Sequence, residues 1–276
     1  MQSLSEIRAT LEARGLAPRH ALGQNFLVDH NLLRKLVATS GVAAGDLVLE
    51  VGPGTGTLTI ALLEAGTRVI ACELDRGLCA LLRDTIEPRW PGAFTLIEGD
   101  CLAGKRALSP QIIAALGPGP FRLVSNLPYG AATPLLLTLL IDHPACASMT
   151  ITIQKEVAER ITAQPGTRDY GALSVIAQRL CAIERIATLP PACFWPRPKV
   201  DSAMLHLARR RPPPPEPPRA LADACARLFA NRRKQIRAAA GDLLGRPELA
   251  DIDPSARAEA LSPAQIARIA IALNSA

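Results

Sequence analysis

The sequence predicts an α/β protein, with a doubly wound, mostly parallel sheet followed by a small all-α domain. Before residue 211, short apolar runs alternate with helical stretches, as they do where crossover helices join parallel strands. A proline-rich segment, residues 212–218, then precedes a part with helical periodicity only. We therefore expect two domains, 1–211 and 212–276, with 212–218 as the linker.

Each predicted strand is a short apolar run bounded by turn residues. The strands are expected at 46–51, 68–72, 94–97, 122–124 and 149–153, with 202–208 as a late strand at the antiparallel edge of the sheet. The helices between them are expected at 57–65, 77–86, 110–116, 133–140, 155–163 and 170–181. After the linker, helices are expected at 220–240, 256–261 and 263–273.

The composition is that of a globular protein, with 49% hydrophobic and 20% charged residues. Residues 1–15 lack the apolar core of a signal peptide, and the longest apolar run, 135–141, is too short to span a bilayer. Seven cysteines without a C-x-x-C pair argue against a disulfide framework and a zinc site. We expect a cytoplasmic monomer that has no metal site and does not bind membranes.

Positive charge is concentrated in residues 209–237, which hold nine Arg or Lys and two acidic residues. The other residues of the chain hold 22 basic and 23 acidic side chains. A basic zone on an otherwise neutral protein indicates a polyanionic partner. A solvated helix face would give the same pattern.

The segment EVGPGTGTLT, residues 50–59, has the features of a nucleotide-cofactor loop. Its three glycines, between a strand and a helix, allow positive φ and let a ligand lie against the backbone. Glu73 ends the next strand, 19 residues after Gly54, where an acid can bind ribose hydroxyls. A nicotinamide cofactor is one candidate. The spacing G-x-G-x-G, with Glu50 two residues before the first glycine, instead favours a Rossmann-like S-adenosylmethionine (SAM) methyltransferase.

Polar residues end four successive predicted strands: Glu50, Glu73, Asp100 and Asn126. Open α/β sheets bind ligands beyond the carboxyl ends of their strands. One polar residue at each strand end would let the ribose and the base of a nucleoside be bound separately. We therefore expect these four side chains to line one site.

The stretch SNLPYG, residues 125–130, has the groups needed to methylate an amine. An exocyclic adenine amine is a poor nucleophile because its lone pair is delocalised into the ring. The Asn126 amide oxygen and the Leu127 carbonyl can accept its two N–H hydrogens and localise that pair, with Pro128 fixing the backbone. The ring of Tyr129, rather than its hydroxyl, is expected to stack on the base.

The whole chain resembles the ribosomal RNA adenine dimethyltransferases, most closely the bacterial small-subunit enzymes whose loss gives kasugamycin resistance. The matching segments, in family order, are LGQNFLVD (22–29), EVGPGTGTLT (50–59), ACELD (71–75), EGD (98–100), NLPY (126–129), QKEVAER (154–160), YGALSV (170–175), FWPRPKVDSA (194–203) and NRRKQIR (231–237). LGQNFL together with F-x-P-x-P-K-V-D-S is the most specific part of this pattern.

The resemblance implies a role for each matching position in binding SAM. Asn25 and Leu27 would contact the cofactor from the amino-terminal segment, and Gly52 would lie under its amino-acid part. Glu73 would bind the ribose, and Asp100 would read the adenine.

The resemblance also implies how the target adenosine is held. Asn126 would touch both the cofactor and the target amine, and Phe194 would sandwich the flipped base opposite Tyr129. The chain departs from the family pattern directly after NLPY, where Gly130 and Ala131 stand. This departure affects the wall behind Tyr129.

The implied reaction is transfer of methyl groups from SAM to N6 of two adjacent adenosines near the 3′ end of small-subunit rRNA. Each adenosine would receive two methyl groups during late assembly of the 30S subunit. The basic zone would bind RNA phosphates, and the residues expected to do so are Arg232, Arg233, Lys234 and Arg237. The alternatives are an N6-adenine methylase of large-subunit rRNA or DNA, an rRNA-binding assembly factor in which methylation is secondary, and a small-molecule methyltransferase.

Overall fold

The computed structural model describes residues 2–19, 22–104, 106–230 and 234–275. Its strands are β1 Phe26–Leu27, β2 Leu47–Val51, β3 Arg68–Glu73, β4 Phe94–Glu98, β5 Leu102–Ala103, β6 Ala107–Leu108, β7 Phe121–Asn126, β8 Cys146–Gln154, β9 Cys181–Leu189, β10 Phe194–Trp195 and β11 Ser202–Arg209. Its helices are α1 Leu4–Glu12, α2 His30–Ser40, α3 Thr57–Glu64, α4 Arg76–Thr85, α5 Pro110–Leu116, α6 Tyr129–Asp142, α7 Lys155–Thr162, α8 Ala172–Leu180, α9 Pro218–Phe229, α10 Arg237–Ala240 and α11 Pro263–Asn274. None of these helices is long and apolar enough to cross a membrane.

The central sheet has seven strands in the order β4-β3-β2-β7-β8-β11-β9. Every neighbouring pair from β4 to β8 is parallel. The chain adds β3 and β4 on one side of β2 and then returns to add β7 and β8 on the other side. The doubly wound, mostly parallel sheet expected from the sequence is therefore confirmed. The strand order reverses between β2 and β7, and open α/β sheets bind ligands beside such a reversal.

The core of this sheet is formed by the apolar runs that the sequence singled out. Val48 of β2 and Val124 of β7 are fully buried, and they share a hydrophobic cluster with Leu36 of α2 and Leu62 of α3. Strands that are covered by helices on their faces need such continuous apolar sequence. This packing fixes the strand ends that carry the candidate site.

The edge strand of the sheet differs from the expectation. Residues 202–208 were expected at the edge, but β11 lies inside the sheet and β9, which the sequence reasoning missed, is the edge strand. The sequence of β9 includes exposed Glu184 and Arg185 and has no regular alternation of apolar and polar residues. Charged residues are common on edge strands, where they oppose pairing with a second chain.

The chain divides by packing into two compact units. The first comprises residues 1–138, 145–155 and 184–206, and the second comprises residues 139–144, 156–183 and 207–276. The division therefore falls inside β11 rather than at the proline-rich segment. It also places α7 and α8 in the same unit as the carboxyl-terminal helices.

The proline-rich segment is anchored inside the second unit. Glu216 is fully buried, and its carboxylate accepts hydrogen bonds from Arg179 of α8, one of them 3.0 Å long. In the same unit, the buried hydroxyl of Tyr170 donates to the carbonyl of Leu261 at 2.8 Å. Because a buried carboxylate needs its partner, Glu216 anchors this segment to α8.

The predicted helix over 220–240 is not continuous: α9 ends at Phe229, and Arg237–Ala240 form the separate short helix α10. Further along, the backbone N–H of Ile236 donates to the carbonyl of Ala256 at 2.8 Å, which is incompatible with a continuous helix. Residues 256–261, also expected to be helical, contain only a single 3-10 turn. Alanine-rich sequence favours helix in both places, but tertiary pairing determines the local structure.

Candidate active site

One cavity lies at the carboxyl ends of β2, β3, β4 and β7. The four polar residues expected at these ends all line it: Glu50, Glu73, Asp100 and Asn126. The other expected residues that line it are Asn25, Leu27, Gly52, Leu127 and Tyr129. The sheet thus brings together residues that lie up to about a hundred positions apart, beside the reversal of strand order.

The glycine loop packs closely against two other segments of the site. Gly52, Gly54 and Gly56 have φ values of 74°, 60° and 83°, which favour glycine. A Cβ on Gly52 would lie 2.8 Å from Cγ of Pro128, and one on Gly54 would lie 2.8 Å from Cε1 of Phe26. The loop therefore holds both the NLPY segment and the amino-terminal segment in place.

Glu73 connects the glycine loop to the end of β3. Its carboxylate accepts hydrogen bonds from the backbone N–H of Gly54 at 3.2 Å and of Asp75 at 2.9 Å. Only 6% of the residue is exposed. Burial raises the pKa of this carboxyl, and the backbone hydrogen bonds oppose that rise. Glu73 is therefore held rigidly, with both oxygens fixed at the wall of the cavity.

Glu50 lies deeper beneath the same loop. The hydroxyl of Thr59 donates to its carboxyl group at 2.7 Å, and the residue is almost wholly buried. Burial, with a smaller contribution from the negative charge of Glu73, raises the pKa of Glu50 to about 8. At pH 7 the folded protein therefore holds Glu50 mainly in its neutral form.

Replacing Glu50 with glutamine is expected to make stability less dependent on pH. Folding raises the pKa of Glu50 from about 4.5 to about 8, so the folded protein binds this proton more tightly than the unfolded chain. The stability that results is fully present below pH 4.5 and is lost as the pH rises to about 8. Wild type should lose stability relative to Glu50→Gln across this interval, by at most roughly 1.4 kcal/mol per pH unit. Urea unfolding at several pH values measures this, and a constant difference between the two proteins would contradict it.

The side-chain amide of Asn126 is oriented by the amino-terminal segment. Its nitrogen donates to the backbone carbonyl of Asn25 at 2.9 Å. Asn126 lines the cavity, and this bond leaves its amide oxygen available as an acceptor. The backbone N–H of the adjacent Leu127 donates to the carbonyl of Thr152 at 3.0 Å, which fixes the strand end. Two acceptors, the Asn126 amide oxygen and the Leu127 carbonyl, thus stand on consecutive residues.

Tyr129 begins α6 and lines the same cavity. Its hydroxyl forms a hydrogen bond with the hydroxyl of Ser202 at 2.9 Å. Half-burial raises the pKa of the phenol, so that Tyr129 is neutral at physiological pH. The hydroxyl, which the sequence reasoning set aside, therefore has a defined structural partner.

A family model described as "Ribosomal RNA adenine dimethylase" matches residues 16–275. The chain belongs to this family. A "Ribosomal RNA small subunit methyltransferase A" from Magnetococcus marinus is 42% identical to the dimethylase, over 98% of this chain and 97% of its own. A protein of the same name from Phenylobacterium zucineum is 43% identical, over 94% of this chain and 89% of its own.

Two solved structures resemble the dimethylase over most of its length. A dimethyladenosine transferase from Plasmodium falciparum has a TM-score of 0.72, covers 90% of this chain and 96% of its own, and is 21% identical, which shows the shared fold. The 23S rRNA methyltransferase ErmE has a TM-score of 0.66, covers 91% of this chain and 100% of its own, and is 26% identical. The dimethylase therefore has the Rossmann-like methyltransferase fold expected from the sequence, and it is a SAM-dependent rRNA adenine dimethyltransferase.

The cavity of the dimethylase has hydrogen-bond acceptors that suit SAM. The Glu73 carboxylate could accept from ribose hydroxyls, and the Asp100 side chain could accept from an adenine amine. The cavity wall also contains Leu74, an apolar side chain that is nevertheless 51% exposed. An exposed leucine in a cavity provides a surface on which a flat base can pack. The sequence reasoning missed Leu74, although an apolar residue directly after the acid expected to bind ribose was a usable signal.

The structure does not place Phe194 in the cavity of the dimethylase. Phe194 pairs with Leu27 between β10 and β1, is 2% exposed and belongs to the hydrophobic core. The cavity wall contains Tyr129 but not Phe194. Contact between Phe194 and a target base would need this side chain to leave its core position, and its role remains a prediction.

Several of the basic side chains in 209–237 are used inside the second unit. Arg209 donates to the carbonyl of Leu139 at 2.7 Å, and Arg219 forms an ion pair with Asp142. Of the residues expected to bind RNA, Lys234 and Arg237 are exposed, while Arg232 and Arg233 lie outside the described residues. The net charge of this zone therefore overstates the positive charge that is available to a partner.

The departure from the family pattern after NLPY leaves space beside Tyr129. Gly130 is exposed in the first turn of α6, and a Cβ on it would contact none of the described residues. Ala131 lines the cavity with its small side chain. The two residues directly after Tyr129 therefore provide nothing larger than a methyl group.

Proposed function

We propose that this dimethyltransferase acts on two adjacent adenosines near the 3′ end of small-subunit rRNA, within the assembling 30S subunit. The observation that carries this proposal is the identity of about 42% to the "Ribosomal RNA small subunit methyltransferase A" of Magnetococcus marinus, over nearly the full length of both chains. The protein would act as a monomer in the cytoplasm, where small subunits assemble. Each adenosine would receive two methyl groups.

The proposed mechanism assigns the reacting amine to the NLPY segment. The amide oxygen of Asn126 and the carbonyl of Leu127 accept the two N–H hydrogens of adenine N6, which localises the nitrogen lone pair. Tyr129 stacks on the base, which must leave its helix to enter the cavity. The bond between Asn25 and Asn126 supports this assignment because it engages the NH₂ group and leaves the amide oxygen to accept from the substrate.

The cofactor would be held by the strand ends around the same cavity. Glu73 binds the ribose, Asp100 reads the adenine, and Gly52 underlies the amino-acid part, with Asn25 and Leu27 closing over them. Bound SAM supplies an electrophilic methyl group on a sulfonium. The protein then needs to position the amine in line with that methyl group, which is the larger part of the catalytic task. The N–H proton of the methylated amine is acidic enough to be lost to water.

The exposed basic residues of the second unit are proposed to bind the rRNA backbone. Lys234 and Arg237 support this assignment because both are exposed. Phosphate contacts give affinity that falls with salt but carry little sequence information. Residues 212–276 would therefore form an RNA-binding part, while the adenosine itself is selected at the cavity.

Reversing Lys234 and Arg237 to glutamate is expected to weaken rRNA binding and flatten its salt dependence. Each lost phosphate contact lowers the slope of log K against log salt by about 0.7–0.9. SAM affinity should not change, because neither residue lines the cavity. Filter binding at several salt concentrations measures the slope. Reversal of Arg34 and Arg68, which are exposed in the first unit, is the matched control, and an equal effect from both pairs would favour a merely solvated face.

Transfer of labelled methyl groups to unmethylated ribosomal particles tests the proposed substrate. We expect label in small subunits and little in large subunits, although the similarity to ErmE makes large subunits the necessary comparison. Label mainly in large subunits or in DNA would identify another nucleic acid as the substrate. Tight binding to small subunits without transfer would favour an assembly factor.

A further inference from the structure

Ser202 contacts the catalytic aromatic without reaching the cavity. It is the first residue of β11, is fully buried, and is absent from the cavity wall. Its hydroxyl lies 2.9 Å from the hydroxyl of Tyr129, 73 positions earlier in the chain. Any influence of Ser202 on the reaction must therefore pass through Tyr129.

The position of Ser202 is fixed by its neighbours. The backbone N–H of Lys155 donates to the carbonyl of Asp201 at 3.0 Å, and the Lys155 ammonium lies 3.7 Å from the Asp201 carboxylate. These contacts tie the start of β11 to the end of β8. Ser202 therefore presents its hydroxyl from a rigid strand rather than from a loop.

The two residues that follow Tyr129 in α6 provide little side-chain bulk. The following residue is an exposed glycine with open space around it, and Ala131 provides only a methyl group in the cavity wall. The hydroxyl of Tyr129 is at the far end of its ring, so its hydrogen bond to Ser202 restrains the χ1 torsion and fixes the direction of the ring axis.

We propose that Ser202 is a positioning residue that holds the Tyr129 ring in place against the target adenine. This inference rests on the proposed function, because it takes adenine as the base that stacks on Tyr129. Ser202 would preorganise the stack so that the N6 amine arrives in line with the methyl group. The hydroxyl of Tyr129 is then needed for orientation, although it takes no part in the chemistry.

A double-mutant cycle tests this inference. Ser202→Ala and Tyr129→Phe should each lower the single-turnover rate of methylation of small subunits by about 2- to 12-fold, the factor expected for one hydrogen bond. The double variant should be no slower than the slower single variant, because both remove the same bond. SAM affinity should stay unchanged in all three. Ser148→Ala is the matched control, because Ser148 is a buried serine on β8 that accepts from Arg122 at 3.1 Å.

The outcomes separate this inference from the proposed function. The role of Ser202 would be overturned if the rate losses of the two single variants multiplied in the double variant. A wild-type rate in Ser202→Ala would overturn it as well. If Ser202→Ala fails to fold, Tyr129→Phe removes the same hydrogen bond at the half-buried tyrosine. A wild-type rate in Tyr129→Phe would equally overturn the role of Ser202. A wild-type protein that methylates no small subunits would overturn the proposed function, and the inference with it.

Discussion

Asn126→Ala is expected to slow single-turnover methyl transfer by about 10²–10³-fold, as the loss of one preorganised transition-state hydrogen bond commonly does. RNA affinity should change little, because the stacking and phosphate contacts remain. The measurement is a single-turnover reaction at saturating SAM and small subunits. It separates the chemical step from substrate binding.

Asn126→Asp is the informative companion of this variant. An aspartate keeps the shape and an acceptor oxygen but cannot donate to the Asn25 carbonyl, which now lies 2.9 Å from the amide nitrogen. We expect a large loss of rate here as well, because a carboxylate facing that carbonyl would turn away. A near wild-type rate in Asn126→Ala would mean that NLPY is only the turn that ends β7.

Glu73→Ala is expected to weaken SAM binding by about 10- to 100-fold, since a hydrogen bond to a charged group contributes roughly 1.5–3 kcal/mol. The loss has two physical causes. The ribose loses its acceptor, and the backbone N–H groups of Gly54 and Asp75 lose the carboxylate that fixes the glycine loop. Calorimetric titration with SAM measures the affinity, and titration with NAD should show no binding.

Glu98→Ala is the matched control for Glu73→Ala. Glu98 is the register partner of Glu73 on β4, pairs with Arg83 at 2.9 Å, and does not line the cavity. Its removal should leave SAM affinity unchanged. Equal affinity in wild type and Glu73→Ala would remove Glu73 from the binding site.

The cavity wall was predictable because it follows from strand ends. Glu50, Glu73, Asp100 and Asn126 each follow an apolar run, and parallel strands necessarily bring such residues to one edge. The amide orientation of Asn126 was not predictable, because its partner is a backbone carbonyl about a hundred residues away. The hydrogen bond between Tyr129 and Ser202 was not predictable either, because the two residues are far apart in the sequence.

The short elements around the site escaped prediction because their stability comes from tertiary contacts. Strand β1 has only two residues and exists through its pairing with β10. Helix α1 packs Ile7 and Leu11 against Phe26, so its amphipathic pattern has meaning only once that partner is known. Periodicity indicates helices and strands that are long, and it carries little information about elements this short.

Side-chain roles were harder to predict than positions. Phe194 lies in a family motif, but sequence does not tell whether an aromatic ring faces a cavity or the core. Residues 209–237 are rich in basic side chains, but Arg209 and Arg219 bind partners within the second unit. A sum of charges cannot distinguish a basic side chain that is available to RNA from one that already has a partner.

The most direct test of the central claim is to identify the methylated nucleosides themselves. Small subunits that lack these methyl groups are incubated with the protein and SAM, and the rRNA is then digested and analysed by mass spectrometry. The predicted result is N6,N6-dimethyladenosine at two adjacent positions near the 3′ end, and far less of it after the same reaction time with Asn126→Ala. Monomethyladenosine alone, a methyl group on another atom, or modification at a single distant position would contradict the claim.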